Sequence, residues 1–449
     1  MTYDEAVRYL LTLGKELAAP QQARVQKFDL ANISILSESL GSPHRAVPCV
    51  HIAGTNGKGS TAAMLDSILR AAGLRTGLYT SPHLERINER IRIAGEEISH
   101  SAFAESFTRV ETQIENLTAS GALAAHPTFF ECLTAVACVA FAGSDIDFAI
   151  YEVGMGGRLD ATNIVTPEVA VITQIDFDHE AYLGLSIEQI AAEKAGIIKP
   201  GGWVVSSAER PEARAVIART AAAMDARLVE IDGTFQLENV RDADGCYSAV
   251  VSQPHSTKKI AIDLQLPGRF QLRNALAALA AARLLAQRGF PLNDDSIVRG
   301  LAAARWPGRL EKLMEKPALY LDGAHNPAGA RELLSFWNDH FQGRKIFLIY
   351  GAMRDKAVDE ISGLLFPRVH TVILTEPRQS RAISAEALRE MTHHHAQNLE
   401  IVSDPVQALE RVFELAHSDD VIFVTGSLYL VGDLRRFLLE RRLPAGSHI

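Results

Sequence analysis

The stretch Gly54-Thr55-Asn56-Gly57-Lys58-Gly59-Ser60-Thr61 follows an apolar run, Cys49-Val50-His51-Ile52-Ala53, and opens an alanine-rich segment that ends near Gly73. The apolar run suits a buried strand, and Ser60 to Ala72 has helical composition. A strand, a glycine-rich turn and a helix start aim backbone N–H groups and a positive dipole end at one point. Such a nest binds phosphate. Lys58 reaches the outer phosphates, and the hydroxyl of Ser60 or Thr61 faces Mg²⁺. Gly59 stands between the lysine and the hydroxyls, so the match to the general phosphate-loop pattern is imperfect. A tight turn using glycine for positive φ would explain one glycine. It leaves the lysine and the hydroxyls unexplained, so the stretch is read as an ATP loop.

Outward from the loop, runs at 77–80, 148–153, 169–173 and 203–206 alternate with helical segments. That order predicts a parallel sheet covered on both faces, with ligands at the carboxyl ends of its strands. Residues 228–266 read as a small antiparallel excursion, and Asn274 to Gln287 as a helix. After Pro307-Gly308 a second series of strands is expected at 318–321, 346–350, 372–375 and 421–424. The expected architecture is α/β: a P-loop-type parallel-sheet ATP-binding domain over residues 1–300, then a smaller Rossmann-like α/β domain over 301–449.

The chain has 449 residues, a net charge of −9, 47% hydrophobic and 22% charged residues. That acidic balance argues against a nucleic-acid partner. Cys49, Cys132, Cys138 and Cys246 lack Cys-x-x-Cys spacing and read as reduced core thiols, not a thiolate metal site. The start, Met1 to Leu17, is amphipathic and charged, unlike a signal peptide. No apolar run suits a bilayer span. A cytoplasmic monomer is expected. His393-His394-His395 suggests a metal site but ends a polar helix with no acidic partners, and reads as solvated surface.

Two strand ends carry candidate chemistry. Glu152, before Gly154-Met155-Gly156-Gly157, either holds a metal beside the loop or pairs with Arg158 or a backbone amide. His179, after Asp176 and Asp178, reads equally well as a metal ligand or as a structural histidine oriented by those acids.

The glycine loop, Thr80-Ser81-Pro82-His83-Leu84, Phe130-Glu131, the run Glu152 to Asn163, Asp178-His179, Glu193-Lys194-Ala195-Gly196, Leu321-Asp322-Gly323-Ala324-His325-Asn326-Pro327 and Thr425-Gly426-Ser427 occur in this order. Together they resemble folylpolyglutamate synthase, often bifunctional with dihydrofolate synthase, within the Mur ligase superfamily. The resemblance runs from about Lys27 to Asp433. It implies ATP-dependent addition of L-glutamate to a folate or dihydropteroate carboxylate through an acyl phosphate.

By that resemblance Thr55, Asn56, Gly57, Lys58, Gly59 and Ser60 meet the ATP phosphates, and Asn274, Arg309 and Asp322 also contact the nucleotide. Ser81, Glu152 and His179 would hold Mg²⁺ at two sites. Lys194 matches a lysine carrying a CO₂-derived carbamate. Lys58, Lys194 and His325 carry the catalytic assignments, and His325 and Ser427 match the place of the incoming glutamate. Asp29, Leu30, Thr128, Phe129, Phe130, Glu131, Leu159, Asp160 and Ala161 match stretches that meet the pterin. One departure stands out: Phe28-Asp29-Leu30-Ala31-Asn32 lacks the Leu-Gly-Leu-type sequence common at that place, which leaves the acceptor open.

Two other classes share part of this sequence pattern. A peptidoglycan-type Mur ligase usually carries a nucleotide-sugar domain ahead of its loop, whereas here the loop begins at residue 54. A nucleotide-driven switch or transport ATPase would hydrolyse ATP without folate or glutamate.

Overall fold

In the computed structural model, β1 (Cys49–Ala53) is buried along its whole length, as a central strand of a parallel sheet must be. The described residues are 1–13, 29–254 and 256–442. Lys15 to Leu17, Lys27 and Phe28, which entered the reading above, lie outside them.

β1 is followed by β2 (Thr76–Tyr79), β3 (Ile91–Ile93), β4 (Glu96–Glu97), β5 (Phe148–Glu152), β6 (Val169–Ile172), β7 (Trp203–Ser206) and β8 (Arg227–Glu230). They form one eight-stranded sheet in the order β4-β3-β2-β5-β1-β6-β7-β8. β1 pairs in parallel with β5 and β6, so the segments leaving these three strands emerge side by side at one edge. Alternate residues of β1 enter different cores. Val50 and Ile52 meet Met64, Leu65 and Leu279 on one face. Cys49 meets the alanine- and phenylalanine-rich helix Phe129–Ala142 on the other.

The helix Lys58–Ala71 begins inside the glycine loop and packs against the helices Gln271–Gln287 and Asp294–Ala303. Contact with the second is close enough that a Cβ on Gly300 would stand 2.3 Å from the Ile68 Cα, so this crossing requires a glycine.

β9 (Gln236–Ala243), β10 (Cys246–Ser252) and β11 (Ile260–Asp263) form the expected antiparallel excursion. Its expected start is corrected, since residues 227–230 complete the parallel sheet as β8 beside β7. The polar texture of this edge strand hides its membership, because only its inner face needs apolar residues.

The second α/β domain contains β12 (Glu311–Glu315), β13 (Ala318–Leu321), β14 (Ile346–Tyr350), β15 (Thr371–Leu374), β16 (Leu399–Ile401) and β17 (Val421–Thr425), in the order β12-β13-β17-β14-β15-β16. β13, β17 and β14 are parallel neighbours, which brings the segments after residues 321, 350 and 425 together. The short strand β3 and the edge strands β4, β12 and β16 escaped the sequence reading. No helix among the described residues is long and apolar enough to cross a membrane.

Candidate active site

The loop after β1 bends through Gly57, at φ +86°, directly before the helix. A Cβ there would lie 2.3 Å from Asn274 Oδ1, so glycine serves both the backbone angle and the close approach. The loop is tied to the segment after β6: Thr55 N donates to the Gln174 carbonyl at 2.7 Å, and Thr173 Oγ1 donates to the Asn56 carbonyl at 2.7 Å. Thr55 Oγ1 donates to the Asp176 carbonyl at 2.9 Å. The N–H groups at the helix start are thus held in place before any anion arrives.

Lys58 Nζ donates to the carbonyls of Gly54 and Thr55, each at 3.1 Å. Burial lowers its pKa from the ordinary lysine value, while Glu152 and Asp178 work in the opposite direction. Lys194 is buried, donates to the same Gly54 carbonyl at 2.9 Å, and is pushed down to about 7 by burial and by Lys58. A lysine snorkelling to solvent is therefore excluded for Lys194. Glu193 instead pairs with Arg158 at 2.7 Å, which also removes Arg158 as the partner of Glu152.

Glu152, at the end of β5, is buried and accepts a bond from Ser81 N at 3.2 Å. Burial raises its pKa and Lys58 opposes that rise. His179 sits at φ +51°, a strained angle for a non-glycine residue. Its buried Nδ1 makes no hydrogen bond, and burial together with Lys356 lowers its pKa to about 3. Ser81, Glu152 and His179 all line the cavity that contains the glycine loop.

That cavity, of about 540 Å³, also takes in Thr55, Asn56, Gly59, Ser60, Lys194, Asn274, Arg309 and Asp322. Thr61 is buried and is not among its lining residues, so of the two candidate hydroxyls only Ser60 faces the cavity. Asp322 accepts backbone bonds from Leu310 and Ala324, both at 2.9 Å. Burial raises its pKa, and Arg309 opposes the rise.

A second cavity of about 800 Å³ is lined by Asp29, by Thr128, Phe129, Phe130 and Glu131, by Leu159, Asp160 and Ala161, and by Ser427. Thr128 and Glu131 cap the helix Phe129–Ala142 reciprocally, which fixes the cavity wall. Asp160 accepts from Met155 N at 2.9 Å and Thr162 N at 3.0 Å, fastening the glycine turn. Leu30 is not among the lining residues and packs against the core beside the helices. Ser81, Gly154, His179, His325 and Leu428 line both cavities, so the two meet there.

His325 reaches this junction from the other domain. Its Nδ1 lies 2.8 Å from the Gly323 carbonyl, which assigns the proton to Nδ1 and leaves Nε2 as an acceptor. Burial, then Lys356, lowers its pKa to about 4, so the ring is neutral near pH 7.

Sequence reasoning missed the group that joins the domains here. Asp178 accepts from Lys356 Nζ at 2.9 Å and from Asn326 Nδ2 at 3.0 Å, and Asn326 Oδ1 accepts from Asn56 Nδ2 at 3.1 Å. Burial opposes ionisation of Asp178, yet Lys356, His179 and His325 hold its carboxyl well below the usual range. Lys356 and Arg381 also line the larger cavity. Neither stands in a recognisable motif, and only the fold brings the segments after β14 and β15 to this place.

The family described as Mur ligase middle domain matches residues 52–282, and that described as Mur ligase, glutamate ligase domain matches residues 308–428. A Bacillus subtilis dihydrofolate synthase/folylpolyglutamate synthase is 33% identical over 424 residues, 91% of this chain and 94% of that protein. The chain belongs to the folylpolyglutamate synthase/dihydrofolate synthase family. It is thus an ATP-dependent ligase of the Mur superfamily. A solved Escherichia coli family member in complex with DHPP and ADP is 31% identical, with a TM-score of 0.85 over 98% of this chain and 99% of that one. A Halobacterium salinarum relative, a probable bifunctional folylpolyglutamate synthase/dihydropteroate synthase, is 36% identical over 97% of this chain. The chain spans only about half of that relative's length, 51%.

Proposed function

We infer that the joined cavities ligate L-glutamate to the carboxylate of a folate or dihydropteroate at the expense of ATP. The observation that carries this reading is the junction: a phosphate loop on one side, an 800 Å³ cavity on the other, and His179 and His325 shared between them. The pterin carboxylate attacks the γ-phosphorus, giving an acyl phosphate and ADP. The glutamate amine then attacks the acyl carbon and phosphate leaves. Positioning and charge neutralisation do most of the work.

Lys58 exchanges its loop carbonyls for the transferring phosphoryl group. Residues 1–300 carry ATP and the pterin, and 301–449 bring the amine, so closure between them excludes water from the acyl phosphate. His325, neutral and with Nε2 free to accept, positions the attacking amine beside Ser427. Lys356 and Arg381 supply cations for the glutamate carboxylates.

The donor set fits Mg²⁺: a hydroxyl at Ser81, a buried carboxylate at Glu152 and an orphaned ring nitrogen at His179. When bound, the ion neutralises phosphate charge. The working unit is read as a cytoplasmic monomer.

The decisive assay supplies purified protein with ATP, labelled glutamate and either dihydropteroate or a reduced folate. Labelled product with at least one acceptor is expected, and ATP hydrolysis indifferent to both acceptor and glutamate would overturn the reading in favour of a switch or transport ATPase. Lys356→Ala is expected to raise the glutamate KM about tenfold or more, since a charge-assisted bond contributes roughly 1.5–3 kcal/mol. His325→Ala is expected to raise the same KM or to lower turnover. In both variants the ATP KM should stay near the parent's. The melting temperature should stay near it for His325→Ala and fall for Lys356→Ala, which leaves the buried Asp178 carboxylate without its cation. Early melting with unchanged glutamate kinetics would make either residue structural.

A further inference from the structure

The His393–His395 turn, expected to lack acidic neighbours, has one in space. Asp359, in the first turn of the helix Val358–Leu365, places Oδ1 3.1 Å from His395 Nε2 and 3.5 Å from His394 Nε2. This corrects the sequence reading, because residues 35 and 36 positions apart meet only through packing between the two helices that follow β14 and β15.

We propose that Asp359, His394 and His395 form a surface site for a zinc-class divalent ion, separate from the ATP crevice. One ligand atom from each residue falls within a 4.8 Å group. Tetrahedral zinc, with bonds of about 2.0–2.2 Å, separates its ligands by about 3.3–3.5 Å, close to the two distances above. Two imidazoles and one carboxylate, with water in the fourth position, are a zinc-type donor set. Mg²⁺, which takes oxygen ligands, is poorly served by it.

The ligands are also partly fixed before an ion arrives. The His395 ring lies against Gly363, whose ideal Cβ would stand 3.4 Å from its Cε1, and its side chain is only 23% exposed. His393 turns away, its Nδ1 facing the Arg389 carbonyl at 3.1 Å. Thr392 Oγ1 closes the preceding helix on the Leu388 carbonyl at 2.7 Å, which sets where the turn begins. A bound ion would staple this turn to the helix that starts just after Lys356, and so brace the loop that faces the larger cavity.

The ordinary alternative is a solvated histidine–aspartate contact of little consequence. Calorimetric titration of the full chain, carrying no histidine tag, with ZnCl₂ alone separates the two. The ATP crevice has its own histidines, so the readout is the difference between parent and variant. The parent is expected to bind one more zinc equivalent than His394→Ala/His395→Ala. Asp359→Asn should weaken that added equivalent about tenfold or more, as loss of a direct ligand exceeds the usual effect of outer partners. Zinc should raise the melting temperature of the parent more than that of the double variant, the two melting alike without metal. If the double variant is unstable, His394→Gln, altering the more exposed ligand, gives the same comparison. Superimposable titrations of parent and variants would overturn the proposal.

Discussion

Lys58→Ala is expected to lower ligation by roughly 10²–10³-fold at saturating ATP, about 2.7–4 kcal/mol of transition-state stabilisation. The reason lies in what surrounds the amine. Lys58 Nζ is held 3.1 Å from two loop carbonyls, within a nest of backbone N–H groups. Burial weakens its hold on its proton, and Glu152 and Asp178 strengthen it, so the cation is poised in a site of low dielectric. There a charge-assisted bond to a phosphoryl oxygen is stronger than in water. Alanine removes that bond and leaves two carbonyls to water, which costs the fold only about 1 kcal/mol. The check is kcat at saturating ATP alongside the melting temperature. Activity within a few-fold of the parent would reject the phosphate-loop assignment.

Lys194→Ala is expected to lose activity by about two orders of magnitude or more, with partial recovery in acetate or another short carboxylate. A buried lysine pushed down to about 7 is largely an unprotonated amine at pH 8. Its nitrogen can bond the carbon of CO₂ and release a proton, turning a costly buried cation into an anion. The sign of the pH dependence follows. Below about 7 the amine is protonated and cannot react, so CO₂-dependent activation should appear as pH rises through 7 and fade below it. Parent enzyme stripped of CO₂ and assayed at pH 8 should be slow until bicarbonate is added. Full activity without CO₂, or unmodified lysine density in crystals grown with bicarbonate, would sink the carbamate.

The sequence by itself determined the strands that are mostly apolar. β1, β5, β6, β14 and β17 lie inside parallel sheets, and burial on both faces favours apolar residues, with His51, Glu152 and Thr425 as the buried polar exceptions. It also marked the glycine turn that opens the helix after β1, because Gly57 answers to a backbone angle that few other residues accept. Motif order placed the family, and strand ends located Glu152, His179 and His325.

Other features are set by the tertiary structure alone. β8 is an edge strand whose polar residues resemble a loop, and only pairing with β7 assigns it to the sheet. Lys194 reads as a solvated helical lysine until the glycine loop is laid across it and its amine finds the Gly54 carbonyl. Asp178, Asn326 and Lys356 make one network across two domains, and Asp359 meets His394 and His395 across two helices. Such pairs are joined by distance in space, which side-chain type and spacing along the chain do not encode.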